Sequence, residues 1–330
     1  TFFITVFAIY FLFLLLLIVG WGIPSEQSIN EDHFYFLSVI IPFRNEEKNL
    51  PALISTLRKL DYPKDRFEIL LIDDHSNDRS EMLAKQLTGD IPNLKIIPAS
   101  SVGKKLAITQ GVQESTGEII VTTDVDCELP VEWLISINKQ FQNQSIKMLV
   151  GVVLIKSGGA FFSKLQATEF SSLMGSAGAT LNLGLPTMCN GANLSYQKEA
   201  FNEVNGFDGN VQIASGDDEF LMRKMVRRFG VNSLKFLSDQ SAIVTTNPQA
   251  SLKDFLIQRI RWAGKWRHNS NRLTKALAVF VLIVQFSWLT ALGSLFFKDA
   301  NDTIPLVMVV KVLMEGFFLF RVSIFMKQRF

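Results

Sequence analysis

Acidic residues occur in pairs at three places, two where apolar runs stop and one where a helical pattern begins. Asp124-Val125-Asp126 closes the run EIIVTTDVD. In extended geometry residues i and i+2 share a face, so both carboxylates would point at one ligand. Two hard oxygens suit Mg²⁺ or Mn²⁺, which in turn binds phosphate oxygens. The plainer reading is an acidic turn after a strand. Asp73-Asp74-His75-Ser76-Asn77-Asp78 follows a second run. Carboxylates there can accept from a nucleobase N–H or a ribose hydroxyl, or the segment is a solvated turn with Asx capping and His75 a turn residue. Asp217-Asp218-Glu219 opens a helical pattern continued by LMRKMVRRF. The helix dipole favours acids at that position; a working carboxylate would be Asp217 or Asp218.

Basic and aromatic residues supply complementary chemistry. Gly103-Lys104-Lys105 is not a P-loop, because Pro98 stands where the upstream glycine belongs and Lys105 where Ser or Thr belongs. Lys104 at a helix start can still meet a phosphate, while Lys105 reads equally as part of a solvated face. Gln258, Arg261 and Trp262 fall at i, i+3 and i+4, on one helical face. Amide, guanidinium and indole together suit a pyrophosphate and a stacked sugar. The alternative is a basic amphipathic helix at lipid headgroups, which Trp266 and His268 fit better.

The elements that must position these groups follow from periodicity. FLSVIIPF, FEILLIDD, LKIIPA and EIIVTTDVD are short apolar runs alternating with helical patterns, among them KKLAITQGVQES. Such alternation predicts an α/β fold with a mostly parallel sheet covered by helices on both faces. Ligands of such sheets bind at the carboxyl ends of strands, where Asn45, Glu46, Asp73, Asp74, Asp124 and Asp126 lie. The segment 158–185 is rich in Gly, Ser and Ala. It reads either as a helix at the membrane interface or as a core helix with small residues for close packing.

Of the 330 residues 48% are hydrophobic and 19% charged, against about 25% charged in ordinary soluble proteins. With a net charge of +2 this excludes a disordered chain and a nucleic-acid-binding arm. Two cysteines, Cys127 and Cys189, exclude a disulfide scaffold and a structural zinc site. The apolar excess is concentrated in residues 1–23, 276–297 and 304–325, each long enough to span a bilayer. The first lacks a basic n-region and a small-x-small cleavage site, so a retained anchor is expected rather than a signal peptide. Lys253, Arg259, Arg261, Lys265, Arg267, Arg272 and Lys275 precede the second span, whereas KDANDT separates the last two. The positive-inside rule then predicts a cytosolic middle domain, residues 34–270, on a multi-pass protein of the cell (inner) membrane. Lys311 and Glu315 form an i,i+4 pair that neutralises itself within the third span. A start at Thr1 and an end just after RVSIFMKQRF suggest a trimmed chain with further membrane segments beyond it.

In order, VIIPFRNEEKNL, ILLIDDHSNDRS, GKKLAITQG, TTDVDCELP, NGANLSYQKEAF with NGFDG, SGDDEFLMRKM and QRIRW resemble the family 2 glycosyltransferases of the GT-A fold. The likeness covers about residues 36–270. It is greatest to membrane-embedded members such as cellulose, chitin, hyaluronan and poly-N-acetylglucosamine synthases and ceramide glucosyltransferase. It implies that the Pro42 to Glu46 turn, with Asn45, and Asp74, with Asp73 nearby, hold uridine. Lys104 would lie near the nucleotide and Gly191 among the substrate-binding residues. Asp124 and Asp126 match the DxD that binds metal and diphosphate. Asp218 matches the general base, with Asp217 beside it, and Gln258, Arg261 and Trp262 match QxxRW, near diphosphate and acceptor. Two positions depart: Phe43-Arg44 replaces an aromatic before Asn, and Asp217 replaces the commoner Glu. The expected reaction is inverting transfer from a UDP-sugar to a glycan or lipid acceptor, dependent on Mg²⁺ or Mn²⁺. The rivals are a non-processive lipid glycosyltransferase, a catalytically silent nucleotide-sugar-binding membrane protein and, more distantly, a phosphoryl-transfer enzyme.

Overall fold

The computed structural model describes residues 2–22, 33–212, 216–264, 272–294 and 303–328. The expected strands and helices alternate through its first half: α1 (Phe2–Trp21), β1 (Leu37–Phe43), α2 (Leu50–Leu57), β2 (Phe67–Asp73), α3 (Ser80–Thr88), β3 (Leu94–Pro98), α4 (Lys104–Glu114) and β4 (Ile119–Thr122). The chain continues through β5 (Cys127–Glu128), α5 (Trp133–Phe141), β6 (Met148–Gly151), β7 (Val153–Ile155), α6 (Phe161–Asn182), β8 (Leu194–Gln197) and α7 (Lys198–Glu203). Last come α8 (Asp217–Phe229), β9 (Leu234–Leu237), β10 (Val244–Thr246), α9 (Leu252–Gly264), α10 (Arg272–Ser294) and α11 (Thr303–Met326).

Among the described residues the larger sheet has seven strands in the order β3-β2-β1-β4-β8-β6-β9. β1 to β4 are parallel, and β8 is antiparallel to both β4 and β6. Every residue of β1, β2 and β4 is buried, which is why their sequences run apolar without alternation. The chain moves outward from β1 to β2 and β3, then returns to β4 on the other side of β1. That reversal leaves a crevice beyond the carboxyl ends of β1 and β4. Pro42 lies inside β1, buried and opposite Ile72, rather than in the following turn. A proline is tolerated there because the β1–β4 pairing stops at Ile40, so no N–H is needed on that side.

A second sheet, β5-β10-β7, stands beside the crevice. Asn193 ties the two sheets together. Its buried amide accepts from the Trp133 indole N–H at 3.0 Å and donates to the carbonyls of Val152 and Ala242 at 2.8 and 2.9 Å. At the opposite end of β1, Glu68 accepts from Ser38 (2.7 Å) and from the Thr116 N–H and hydroxyl (2.5 and 2.8 Å).

α6 packs against β7 and β9 on one side and against α1 and α11 on the other. Small residues permit the approach: a Cβ on Gly20 would lie 2.4 Å from the Ala179 carbonyl oxygen, and one on Gly175 2.6 Å from Val322 Cγ2. Phe161 and Leu165 of α6 remain exposed. Three described helices are long and apolar enough to cross a membrane: Phe3–Trp21, Thr274–Ser294 and Thr303–Met326. Within this bundle Lys311 Nζ donates to Glu315 at 2.8 Å, and the Tyr10 hydroxyl donates to the same carboxylate at 2.5 Å. The expected i,i+4 pair is present and has a third partner on α1.

Candidate functional site

β4 ends at Thr122, so Asp124 and Asp126 are not on an extended strand. They sit in a turn closed by the Cys127 N–H donating to the Asp124 carbonyl at 3.2 Å. The turn, not strand alternation, brings both carboxylates to one cleft of about 560 Å³. Thr246, opposite Cys127 in the β10–β5 pairing, donates its hydroxyl to Asp126 Oδ2 at 3.1 Å. The cleft walls partly desolvate Asp126, the Asp124 charge adds to this, and its pKa is raised. Burial, followed by the same two carboxylates, pushes the Cys127 thiol well up.

Lys104, first residue of α4, reaches across to donate to Asp124 Oδ1 at 2.5 Å. Burial alone would lower its pKa, but the charges of Asp124, Asp217 and Asp218 outweigh that and raise it. It is therefore a fixed cation among carboxylates. Lys105 does not lie on a solvated face: it is buried, donates to the Asn210 carbonyl at 2.7 Å and stands 5.5 Å over the Phe220 ring.

Gly191 joins three elements. Its N–H donates to Asp218 Oδ2 at 3.2 Å, and its carbonyl accepts from the Thr122 hydroxyl at 2.9 Å. A Cβ there would stand 3.3 Å from Asp217 Oδ2 and 4.0 Å from Lys104 Nζ, so a side chain would crowd the centre of the charged cluster. Asp217, Asp218 and Glu219 open α8 and line the same cleft, and Glu219 also forms an i,i+4 pair with Arg223. Ser215, ahead of this motif, lies outside the described residues.

Gln258, Arg261 and Trp262 line the cleft from α9 together, on the shared face their spacing predicts. Arg259 faces α6 instead. It pairs with Glu169, stacks 4.4 Å over Phe255 and 4.3 Å over Trp262, and donates to Gln258 at 2.8 Å. Arg259 thus fixes the helix that carries the other three. Lys265, Trp266, Arg267 and His268 fall outside the described residues.

Pro42, Asn45, Glu46, Asp73 and Asp74 do not line this cleft; they form a neighbouring group at the ends of β1 and β2. Asn45 has φ of 57°, and its side chain accepts from the Asn77 N–H at 2.8 Å. Asp73 closes the turn after β2 by accepting from the Ser76 N–H at 3.0 Å. Asp74 Oδ1 accepts from the Gly103 N–H at 2.8 Å and so holds the turn that presents Lys104. Glu46 connects the two groups. Burial raises its pKa, a hydrogen bond from Asn49 lowers it in part, and the Asp126 and Asp124 charges raise it further.

The sequence carried no local signal for Thr122, Thr246 or the apolar wall of Val153, Ile155, Phe170, Leu173 and Met188, all brought in by folding. No group of three or more His, Cys, Asp or Glu is placed to hold a metal among the described residues. The protein would therefore offer a divalent ion two carboxylates and leave the remaining positions to a diphosphate and water. The donor chemistry fits: burial and then the Asp124 charge raise Asp126, a dication would offset both, and the Lys104 ammonium already offsets part of the charge.

The comparisons agree with this architecture. Across 98% of this chain and 95% of the other, the fold superposes on a mannosyltransferase from Pyrobaculum calidifontis solved with GDP-mannose and Mn²⁺ (TM-score 0.66, 14% identity). The fold is thus GT-A. The chain is 25% identical over 219 residues to a beta-monoglucosyldiacylglycerol synthase of Trichormus variabilis, covering 64% of this chain and 46% of that protein. It is 32% identical over 145 residues to an undecaprenyl-phosphate 4-deoxy-4-formamido-L-arabinose transferase of Pectobacterium atrosepticum, covering 42% of each. The chain thus spans less than half the length of these curated relatives. The model of "Glycosyl transferase family 2" matches residues 38–204, from β1 through α7, and the chain belongs to that family.

Proposed function

We propose that the chain is a membrane-attached, metal-dependent inverting glycosyltransferase that moves a hexosyl or N-acetylhexosaminyl group from a UDP-sugar to a glycan or lipid. The observation that carries this is one cleft lined by Lys104, Asp124, Asp126, Asp217, Asp218, Gln258, Arg261 and Trp262. Asp124 and Asp126 would hold Mg²⁺ or Mn²⁺, which when bound neutralises the charge developing on the departing diphosphate. Arg261 adds a guanidinium for the phosphate oxygens and Trp262 a face for the sugar. The strand-end group of Pro42, Asn45, Glu46, Asp73 and Asp74 would hold the uridine.

An acceptor hydroxyl is a weak nucleophile and needs a base at its approach. Asp218 takes that role, held by the Gly191 and Glu219 N–H groups (3.2 and 2.7 Å), with Asp217 adjacent. With Asp218 acting as a base and not as a nucleophile, transfer would be a single displacement with inversion. The similarity to a glycolipid synthase and to an undecaprenyl-phosphate sugar transferase supports a membrane acceptor. The three apolar helices and the Lys/Arg excess before α10 support a multi-pass protein with its middle domain in the cytosol of the cell (inner) membrane.

The test is to incubate membranes carrying the protein with labelled UDP-sugars and Mn²⁺ or Mg²⁺, and to follow UDP release. Release that needs the metal and disappears in Asp124→Ala is expected. Metal-dependent UDP binding with no release from any donor would instead favour a catalytically silent nucleotide-sugar-binding protein.

A further inference from the structure

Arg259 stands inside the QRIRW segment but does not line the cleft, and by sequence it counts only among the basic residues before the second span. Its guanidinium is nevertheless held at several points. Glu169 of α6 accepts from Nε at 3.0 Å and from Nη2, so a planar fork meets a carboxylate with two bonds. Phe255 and Trp262, four residues before it and three after it on α9, place their ring centres 4.4 and 4.3 Å from its central carbon. Those rings are themselves backed by α6, with Phe162 5.8 Å from Phe255 and Phe170 5.9 Å from Trp262 between ring centres. The remaining nitrogen, Nη1, donates to Gln258 Oε1 at 2.8 Å. The side chain is only 18% exposed, so little water competes for these contacts.

Gln258 needs such a partner. A primary amide is nearly symmetric in shape, so a half-turn of its end exchanges an acceptor oxygen for a donor NH₂ with little change in packing. A guanidinium has five N–H donors and no acceptor, so the amide atom that meets it is the oxygen. The group that Gln258 turns to a ligand in the cleft is then the NH₂. Arg261, which lines the cleft from the same helix, likewise only donates. Together the two offer donors and positive charge, which suits the anionic oxygens of a diphosphate. An amide oxygen turned to the same place would repel them. A lysine at 259 would keep a charge for Glu169, but a single ammonium has no planar fork with which to lie against the rings and reach Gln258 as well.

Resting on the reading of the cleft as a nucleotide-sugar site, we propose that Arg259 is a positioning residue that acts through Gln258. Gripped by Glu169 and stacked on Phe255 and Trp262, it occupies the amide oxygen and so commits the amide NH₂ to the diphosphate. Arg259 itself does not touch the substrate. Its contribution to binding therefore exists only while Gln258 carries an amide.

The test is a double-mutant cycle on the full chain in detergent, read as the Kd for UDP in the presence of Mn²⁺ by calorimetric titration. Arg259→Lys in the parent protein is expected to weaken UDP binding about tenfold, the loss of one hydrogen bond to a charged oxygen. In a Gln258→Ala background the same substitution is expected to change it by less than about twofold, because the group it acts through is gone. Glu169→Gln loosens the grip on the guanidinium without altering α9; it should show a smaller loss that also vanishes with Gln258→Ala, and it carries the cycle should Arg259→Lys not fold. An equal loss in both backgrounds would mean that Arg259 serves the fold alone and would overturn the proposal, as would unchanged binding in Arg259→Lys. UDP release from labelled UDP-sugars is followed on the same samples. The expected cycle in UDP binding with no sugar transferred from any donor would uphold the positioning role and remove the glycosyltransferase reading. A parent protein that binds no UDP with Mn²⁺ would remove both.

Discussion

Asp124 and Asp126 carry like charges into one cleft, and Lys104 compensates chiefly the first of them. Asp126→Asn keeps the shape and the Thr246 contact but removes one of two hard anionic donors. The affinity for UDP in the presence of Mn²⁺ should fall at least tenfold, and the gain from adding Mn²⁺ should largely vanish; calorimetric titration with and without the metal checks this. An unchanged Mn²⁺ dependence would remove Asp126 from the metal site. These two acids were legible from residue type and spacing, although the reason they converge is a turn and not strand alternation. The contacts of Gly191 were not legible: Thr122 and Gly191 are 69 residues apart, and only the β4–β8 pairing brings them together.

At the scale of elements, strand ends were readable because β1, β2 and β4 are buried throughout and their apolar runs stop where polar residues begin. The reversed direction of β8 was not, since a four-residue strand gives no sign of which neighbour it will pair with. Asn193 illustrates the same limit. It lies in a motif that resembles a substrate segment, yet its amide spans Trp133, Val152 and Ala242 and holds the two sheets together. Glu68 gives a pH test of the scaffold. Burial would raise its pKa, but hydrogen bonds from Thr116 and Ser38 and the Lys95 charge outweigh that and lower it below the ordinary 4.5. A carboxylate with a lowered folded-state pKa contributes stability that is fully present above the unfolded value and is lost as pH falls through the folded one. Glu68→Gln should therefore lower the thermal midpoint at pH 7, by about 1–3 kcal/mol in stability. The two proteins should converge as the pH falls below 4.5. A constant difference down to pH 3 would mean that the charge of Glu68 is immaterial.

At the scale of the whole molecule, α6 couples the α/β domain to the apolar helices through contacts that only small residues allow. Gly175→Leu would drive a side chain into Val322 and Phe318. Overpacking of about 1–3 kcal/mol should lower the midpoint of thermal inactivation in detergent by roughly 2–10 °C. A variant as stable as the parent would show that α11 is not seated on α6. Packing of this kind also brings Thr274, at the start of α10, to the cleft and Gln328, just past α11, to the Ile155 carbonyl on its wall. The most direct measurement is sugar transfer and UDP binding made side by side on Asp218→Asn. Asparagine keeps the size and loses the basicity, so transfer should fall by about 10²–10⁴ while Mn²⁺-supported UDP binding persists. Full transfer activity with normal UDP binding would contradict the assignment of Asp218 as the base.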